Sequence, residues 1–208
     1  MKIKICGITN LEDAKGAVAA GADALGFVMY RKSPRWVDPS LVRAIVAELP
    51  PFVLPVGVFV NEEAGTVRAL MDECGFALAQ LHGDESPLYC QHLGRPALKA
   101  LRLKDHETVL TLAGFQGQAN VRGFLIDAYS DQAYGGTGQT VDWTLAQEVA
   151  RSLPIILAGG LTPENVADAI KTVRPYGVDV SSGVEKSPGK KDLHKLKAFI
   201  EAARLVPV

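Results

Sequence analysis

Short runs of β-branched and apolar residues alternate along this chain with longer stretches whose apolar positions recur at helical spacing. The runs Lys2–Cys6, Ala24–Met29, Val53–Val60, Ala77–His82, Ala97–Arg102, Arg122–Asp127, Pro154–Ala158 and Gly177–Ser181 predict strands. Between them Leu11–Ala20, Pro39–Leu49, Glu62–Cys74, Val141–Ser152, Pro163–Val173 and Lys191–Arg204 predict amphipathic helices. Two less regular helical patterns cover Ser86–Leu93 and Asp105–Phe115. Local chemistry marks several starts. Asn10 is placed to cap the first helix, with Glu12 and Asp13 in its opening turn. Asp38-Pro39 and Thr162-Pro163-Glu164 read as cap followed by first-turn proline. Eight strand-then-helix beats of roughly 26 residues each fit an α/β fold, a single (β/α)8 barrel over residues 1–208. Periodicity says nothing about closure, so a doubly wound sheet stays open at this point.

The polar residues inside the strands refine the picture. Lys4, Gln80, Lys99 and Asp179 interrupt otherwise apolar runs, and side chains alternate faces along a strand. Lys2, Lys4 and Cys6 share one face; Ile3 and Ile5 share the other. If the isoleucines meet the helices, Lys4 points into the barrel beneath Cys6. A buried ammonium needs a partner, and Asp179 on the last strand is the candidate, since a closed barrel sets first and last strands side by side. A shifted register would instead leave Lys4 exposed at the rim.

Composition narrows the function classes. Of 208 residues, 48% are hydrophobic and 22% charged, which suits a globular core. A net charge of -1 gives no basic surplus for nucleic acid or an anionic membrane. Met1 to Thr9 reads as strand and turn, without a secretory pattern, and the mostly apolar stretch 50–60 is far too short to span a bilayer. The three cysteines, Cys6, Cys74 and Cys90, are far apart, which fits free thiols and a cytoplasmic setting. The exposed helix faces carry no seam that decides between monomer and homodimer.

Cys6 and Asp127 each end a strand-like run and precede a loop. In a closed parallel barrel both loops open onto one face, so a thiol able to take a proton and a carboxyl able to give one would flank one pocket. Taken singly, Cys6 also fits a packed core thiol and Asp127 a turn cap. As a base Cys6 needs its thiolate favoured, a task open to Lys4 or to helix N-termini. Arg35, in Lys32-Ser33-Pro34-Arg35, is either a solvated loop cation or a bidentate clamp for a carboxylate. His82 ends the fourth strand, where it either lines the pocket or serves as a structural histidine. Glycine-rich segments follow strands six, seven and eight: Gly135-Gly136-Thr137-Gly138, Ala158-Gly159-Gly160 and Ser181-Ser182-Gly183. Each alone is a tight turn as readily as a ligand loop, but together they sit where phosphate-binding barrels hold their anion. No GxGxxG follows the first strand, and the four histidines do not fall on successive strand ends, so neither a dinucleotide nor a metal is indicated.

Taken in order, several segments resemble the phosphoribosylanthranilate isomerase family of tryptophan biosynthesis. They are Lys4-Ile5-Cys6-Gly7-Ile8-Thr9, Gly26-Phe27 leading to Lys32-Ser33-Pro34-Arg35, Val56-Gly57-Val58-Phe59-Val60-Asn61, and Gln80-Leu81-His82-Gly83-Asp84-Glu85. Leu125-Ile126-Asp127, Gly135 to Gly138 with Asp142-Trp143, Leu157 to Leu161 with Asn165-Val166, and Asp179 to Glu185 continue the match to the last strand. The resemblance implies a (β/α)8 barrel that rearranges N-(5-phosphoribosyl)anthranilate, a small phosphosugar, without cofactor or metal. It implies Asp127 as acid, Cys6 as base and Arg35 as partner of the anthranilate carboxylate. Gly136, Gly138, Gly159, Gly160, Ser182 and Gly183 would hold the phosphate, with Lys4, His82 and Asp179 in or behind the pocket.

Overall fold

The computed structural model describes residues 1–128 and 142–207. Eight parallel strands close into a barrel in chain order. They are β1 (Lys2–Cys6), β2 (Ala24–Val28), β3 (Leu54–Phe59), β4 (Leu78–Leu81), β5 (Ala97–Leu103), β6 (Val121–Ala128), β7 (Ile155–Leu157) and β8 (Gly177–Val180). The doubly wound alternative is thereby removed: β1 pairs with both β2 and β8, Lys4 lying opposite Ala24 on one side and Asp179 on the other. Helices α1 (Leu11–Ala20), α2 (Pro39–Ala47), α3 (Ala64–Cys74), α4 (Pro87–Leu93), α5 (His106–Thr111), α6 (Trp143–Ser152), α7 (Val166–Val173) and α8 (Leu193–Arg204) follow the strands in turn.

Strand alternation sorts the apolar residues into two cores. Leu98, Ala100, Leu125 and Ala158, with Leu78 and Ile156, fill the barrel interior. Ile3, Ile5, Leu25, Phe27, Phe59 and Ile126 belong to the larger core that also holds the helix faces, such as Ala14, Ile45, Val67, Ile170 and Phe199. Truncating a fully buried ring such as Phe27 to alanine costs about 3–5 kcal/mol by lost burial and the cavity left behind.

Helix starts follow the local signals. Asn10 accepts from the Asp13 amide at 2.8 Å, and Gly21 ends α1 in a left-handed conformation. Asp38, Ser86, Asp105, Asp142 and Asp192 cap their helices in the same way. The less regular patterns are both realised, the second as α5 continued by a 3-10 turn over Leu112–Phe115. Several boundaries shift by one or two residues, and two helix starts differ from the periodicity for a visible structural reason. The seventh helix begins at Val166 rather than Pro163, because residues 163–165 form a turn in which the Thr162 hydroxyl accepts from the Glu164 amide. Lys191 is not helical: a small hairpin, β9 (Glu185–Ser187) and β10 (Lys190–Lys191), precedes α8. Among the described residues, no helix is long and apolar enough to cross a membrane.

Candidate active site

Parallel strands bring all eight strand ends to one mouth of the barrel, so the inward residue ending each strand becomes part of a shared floor. Cys6 is inward. A Cβ added to the neighbouring Gly26 would lie 2.8 Å from Cys6 Sγ and 3.0 Å from Lys4 Nζ, so only glycine leaves room for both groups. Val28 and Val58 pack beside the thiol, with Tyr30 partly covering them. Asp127 is inward too. Its Oδ2 lies 3.1 Å from Nε2 of His82, which follows β4, and that contact crosses over the intervening β5. A contact between second-neighbour strands is possible only on the concave inner face. Thiol and carboxyl therefore belong to the same C-terminal mouth, both buried.

Beneath Cys6, Lys4 Nζ donates to Asp179 Oδ1 at 2.9 Å, the contact anticipated from the strand pattern. Burial pulls the ammonium's pKa down, but Asp179 and Cys6 more than offset it, so the Lys4 pKa is raised and the group stays charged. For Cys6 the balance differs from the expectation of a favoured thiolate. Burial pushes the thiol up, and Lys4 and Lys191 recover only part of that, with Asp179 opposing them.

The hairpin after β8 adds residues that patterning did not single out. Glu185 receives Arg35 Nε at 2.9 Å and Nη2 at 2.8 Å, a bidentate pair. Its Oε1 also accepts from Lys191 Nζ at 3.1 Å. Lys191, fully buried, donates further to the Cys6 carbonyl at 2.6 Å and the Ser181 carbonyl at 3.2 Å. Burial opposes the Glu185 charge, yet Arg35 and Lys191 hold its carboxyl below the usual glutamate range. Arg35 is thus neither a solvated cation nor wholly free for a ligand. Its side chain crosses directly over Gly7, beside Cys6. The one available sequence signal was the Pro188-Gly189 turn set in a polar run, which marks a hairpin but not what its ends would touch.

Of the glycine-rich segments, Gly136 and Gly138 lie outside the described residues. Gly159 and Gly160 follow β7, and Ser182 and Gly183 form a 3-10 turn after β8. These two loops touch: a Cβ on Gly183 would run into the Leu161 carbonyl. Asn165 pins the first of them, donating to the Gly160 carbonyl at 3.0 Å and accepting from the Thr162 amide at 2.8 Å. Lys99 turns away from the interior and is consumed by Glu85, at 2.8 Å, and by the Leu81 and Gly83 carbonyls. It braces the segment that carries His82. At the opposite, N-terminal mouth lies an apolar cavity of about 280 Å³ near Ala24, Leu54 and Val56. Its charged residues are paired, Lys2 with Asp23 at 2.8 Å and Lys4 with Asp179 at 2.9 Å, so it offers walls rather than acid-base chemistry.

Residues 3–202 match the family model described as N-(5'phosphoribosyl)anthranilate (PRA) isomerase. The chain belongs to the phosphoribosylanthranilate isomerase family. It is 51% identical over 205 residues to N-(5'-phosphoribosyl)anthranilate isomerase of Citrifermentans bemidjiense, covering 99% of this chain and 98% of that protein. The Pelobacter propionicus enzyme of the same name is 50% identical, over 98% of this chain and 96% of its own length. Among solved structures, the phosphoribosyl anthranilate isomerase of Thermotoga maritima superposes with a TM-score of 0.90 at 41% identity, over 98% of both chains. Another phosphoribosyl anthranilate isomerase, solved in complex with reduced 1-(o-carboxyphenylamino)-1-deoxyribulose 5-phosphate, gives 0.87 at 40% identity, again over 98% of both. The match runs through all eight barrel strands.

Proposed function

We propose that this protein is an aldose-ketose isomerase of tryptophan biosynthesis. Its reaction is the Amadori rearrangement of N-(5-phosphoribosyl)anthranilate to 1-(2-carboxyphenylamino)-1-deoxyribulose 5-phosphate. The observation that carries the reading is the convergence of Cys6 and Asp127 at one barrel mouth, in a chain about half identical to enzymes of that name. Asp127 delivers its proton to the furanose ring oxygen as the bond from carbon 1 to that oxygen breaks. The anilino nitrogen's lone pair forms the C=N bond of a protonated imine. Cys6, as thiolate, removes the proton from carbon 2, and the electrons of that C–H bond pass into the imine, which becomes a neutral enolamine. Tautomerisation of the enolamine yields the ketone. The cationic imine serves as the electron sink, so the chemistry is internally balanced.

Arg35 receives the anthranilate carboxylate with the N–H groups that Glu185 does not use, since the pair occupies only two of the guanidinium's five donors. Gly136, Gly138, Gly159, Gly160, Ser182 and Gly183 cradle the phosphate from the loops after β6, β7 and β8, the position such barrels commonly give it. Three free thiols support a cytoplasmic place of action. The test is direct: purified protein mixed with freshly formed phosphoribosylanthranilate should accelerate the loss of its anthranilate-type fluorescence far above the spontaneous rate. No acceleration at any enzyme concentration would end the reading.

A further inference from the structure

Gln80 and His82 stand two residues apart at the end of β4, so both side chains point into the barrel. Gln80 is buried, and its Nε2 lies 2.7 Å from His82 Nδ1. The other ring nitrogen, Nε2, lies 3.1 Å from Asp127 Oδ2. Counting protons along this row decides more than the distances do. A primary amide nitrogen offers only hydrogens, so Nδ1 must present its lone pair. The imidazole is then neutral, with its single hydrogen on Nε2, aimed at Asp127.

We propose that Gln80 is a positioning residue of this site: its amide fixes the His82 tautomer, and His82 thereby confines the acid proton of Asp127 to Oδ1. The inference rests on the reading of Asp127 as the general acid. An oxygen that accepts the Nε2 hydrogen is the carbonyl-like oxygen of the acid, so the transferable proton resides on its twin. An imidazolium would carry hydrogen on both ring nitrogens, and its Nδ1–H would face the Gln80 N–H, donor against donor. Gln80 therefore keeps His82 from competing for the proton that Asp127 must deliver. Once Oδ1 has given that proton to the sugar, the Nε2–H remains to stabilise the carboxylate.

A second feature sets this amide apart. Among the described residues Gln80 Oε1 is buried without a hydrogen-bond partner. Leaving a buried acceptor unsatisfied costs about 1–3 kcal/mol. An aliphatic side chain at this inward position would avoid the penalty, as Leu78 does one pleat earlier on the same strand. The strand carries the penalty, and what it gains is the donor on Nδ1.

Long-range proton-nitrogen NMR correlation on protein labelled at its four histidines reads the tautomer, with His82→Asn identifying the resonance that disappears. The wild-type ring should be neutral and protonated on Nε2 at neutral pH. Gln80→Glu, whose carboxylate accepts instead of donating, should switch the ring to Nδ1–H or to the imidazolium. That variant should lose roughly tenfold or more in kcat, with KM within about twofold. Gln80→Met, which keeps the length without either polar atom, guards against a fold defect in the acidic variant and should also lower kcat. A wild-type ring protonated on Nδ1, or both variants folded and turning over at the wild-type rate, would overturn the proposal. A wild type inactive on phosphoribosylanthranilate overturns the functional reading instead, and a tautomer switch in Gln80→Glu would still uphold the control of His82 by Gln80.

Discussion

At the residue scale, Cys6 works against its surroundings. A buried thiol whose pKa is raised holds little thiolate at neutral pH, and Lys4 and Lys191 only soften the effect. Under the reading of Cys6 as base, a raised pKa leaves only a small active fraction at neutral pH. The expected result is a rate of Cys6 alkylation that keeps climbing from about pH 7 to about pH 9. A plateau already present below neutrality would contradict it. Under the proposed roles, Cys6→Ala or Asp127→Asn should lower kcat by about 10²–10⁴ while the circular dichroism spectrum is retained. Both side chains are small and lie at strand ends, so the barrel has little reason to unfold without them.

At the element scale, the hairpin of β9 and β10 links Arg35 to the strand that carries Cys6. Glu185 grips Arg35, and Lys191 grips both Glu185 and the Cys6 carbonyl. Glu185→Gln should therefore raise KM more than it lowers kcat, because it loosens the orientation of Arg35 without touching the reacting bonds. The same substitution has a pH signature. The Glu185 pKa is lower folded than its ordinary value of 4.5, so its stabilisation is fully present above that value. It is lost as pH falls through the lower, folded value. The wild type should lose its stability margin over the variant on acidification below about pH 4.5, as followed by denaturant unfolding at a series of pH values. The contact between the loops after β7 and β8 makes a second element-level test. Gly183→Ala forces backbone against the Leu161 carbonyl and should cost about 1–3 kcal/mol of stability while weakening phosphate-dependent substrate affinity. Unchanged melting and KM would show that the loops yield freely.

At the scale of the whole molecule, closure depends on the seam between β1 and β8, and the buried Lys4–Asp179 pair sits directly on it. The two residues are 175 positions apart, and each is almost fully enclosed. Removing one partner strands the other's charge in the interior, which typically costs 3–5 kcal/mol. Asp179→Leu is therefore expected to lower unfolding stability by about that amount, and a loss under about 1 kcal/mol would mean that water reaches Lys4. Because Lys4 also opposes the burial of the Cys6 thiolate, this seam ties barrel closure to the chemistry at the mouth.

The chain's own pattern was enough for the repeating strand-helix order, for α1 to the residue, and for the caps at Asn10 and Asp38, because such signals act over a few neighbouring residues. Strand alternation also placed Lys4 inward and named Asp179 as its partner once closure was assumed. Tertiary structure alone decided that the sheet closes, and that His82 reaches Asp127 across β5 with Gln80 against its other ring nitrogen. It likewise decided that Arg35 meets a carboxylate 150 positions away, and that Lys191 leaves the helical pattern to brace Cys6. Periodicity reports which face a residue occupies. Which side chains meet on that face depends on strand register and barrel curvature, and these emerge only when every strand has found both of its neighbours.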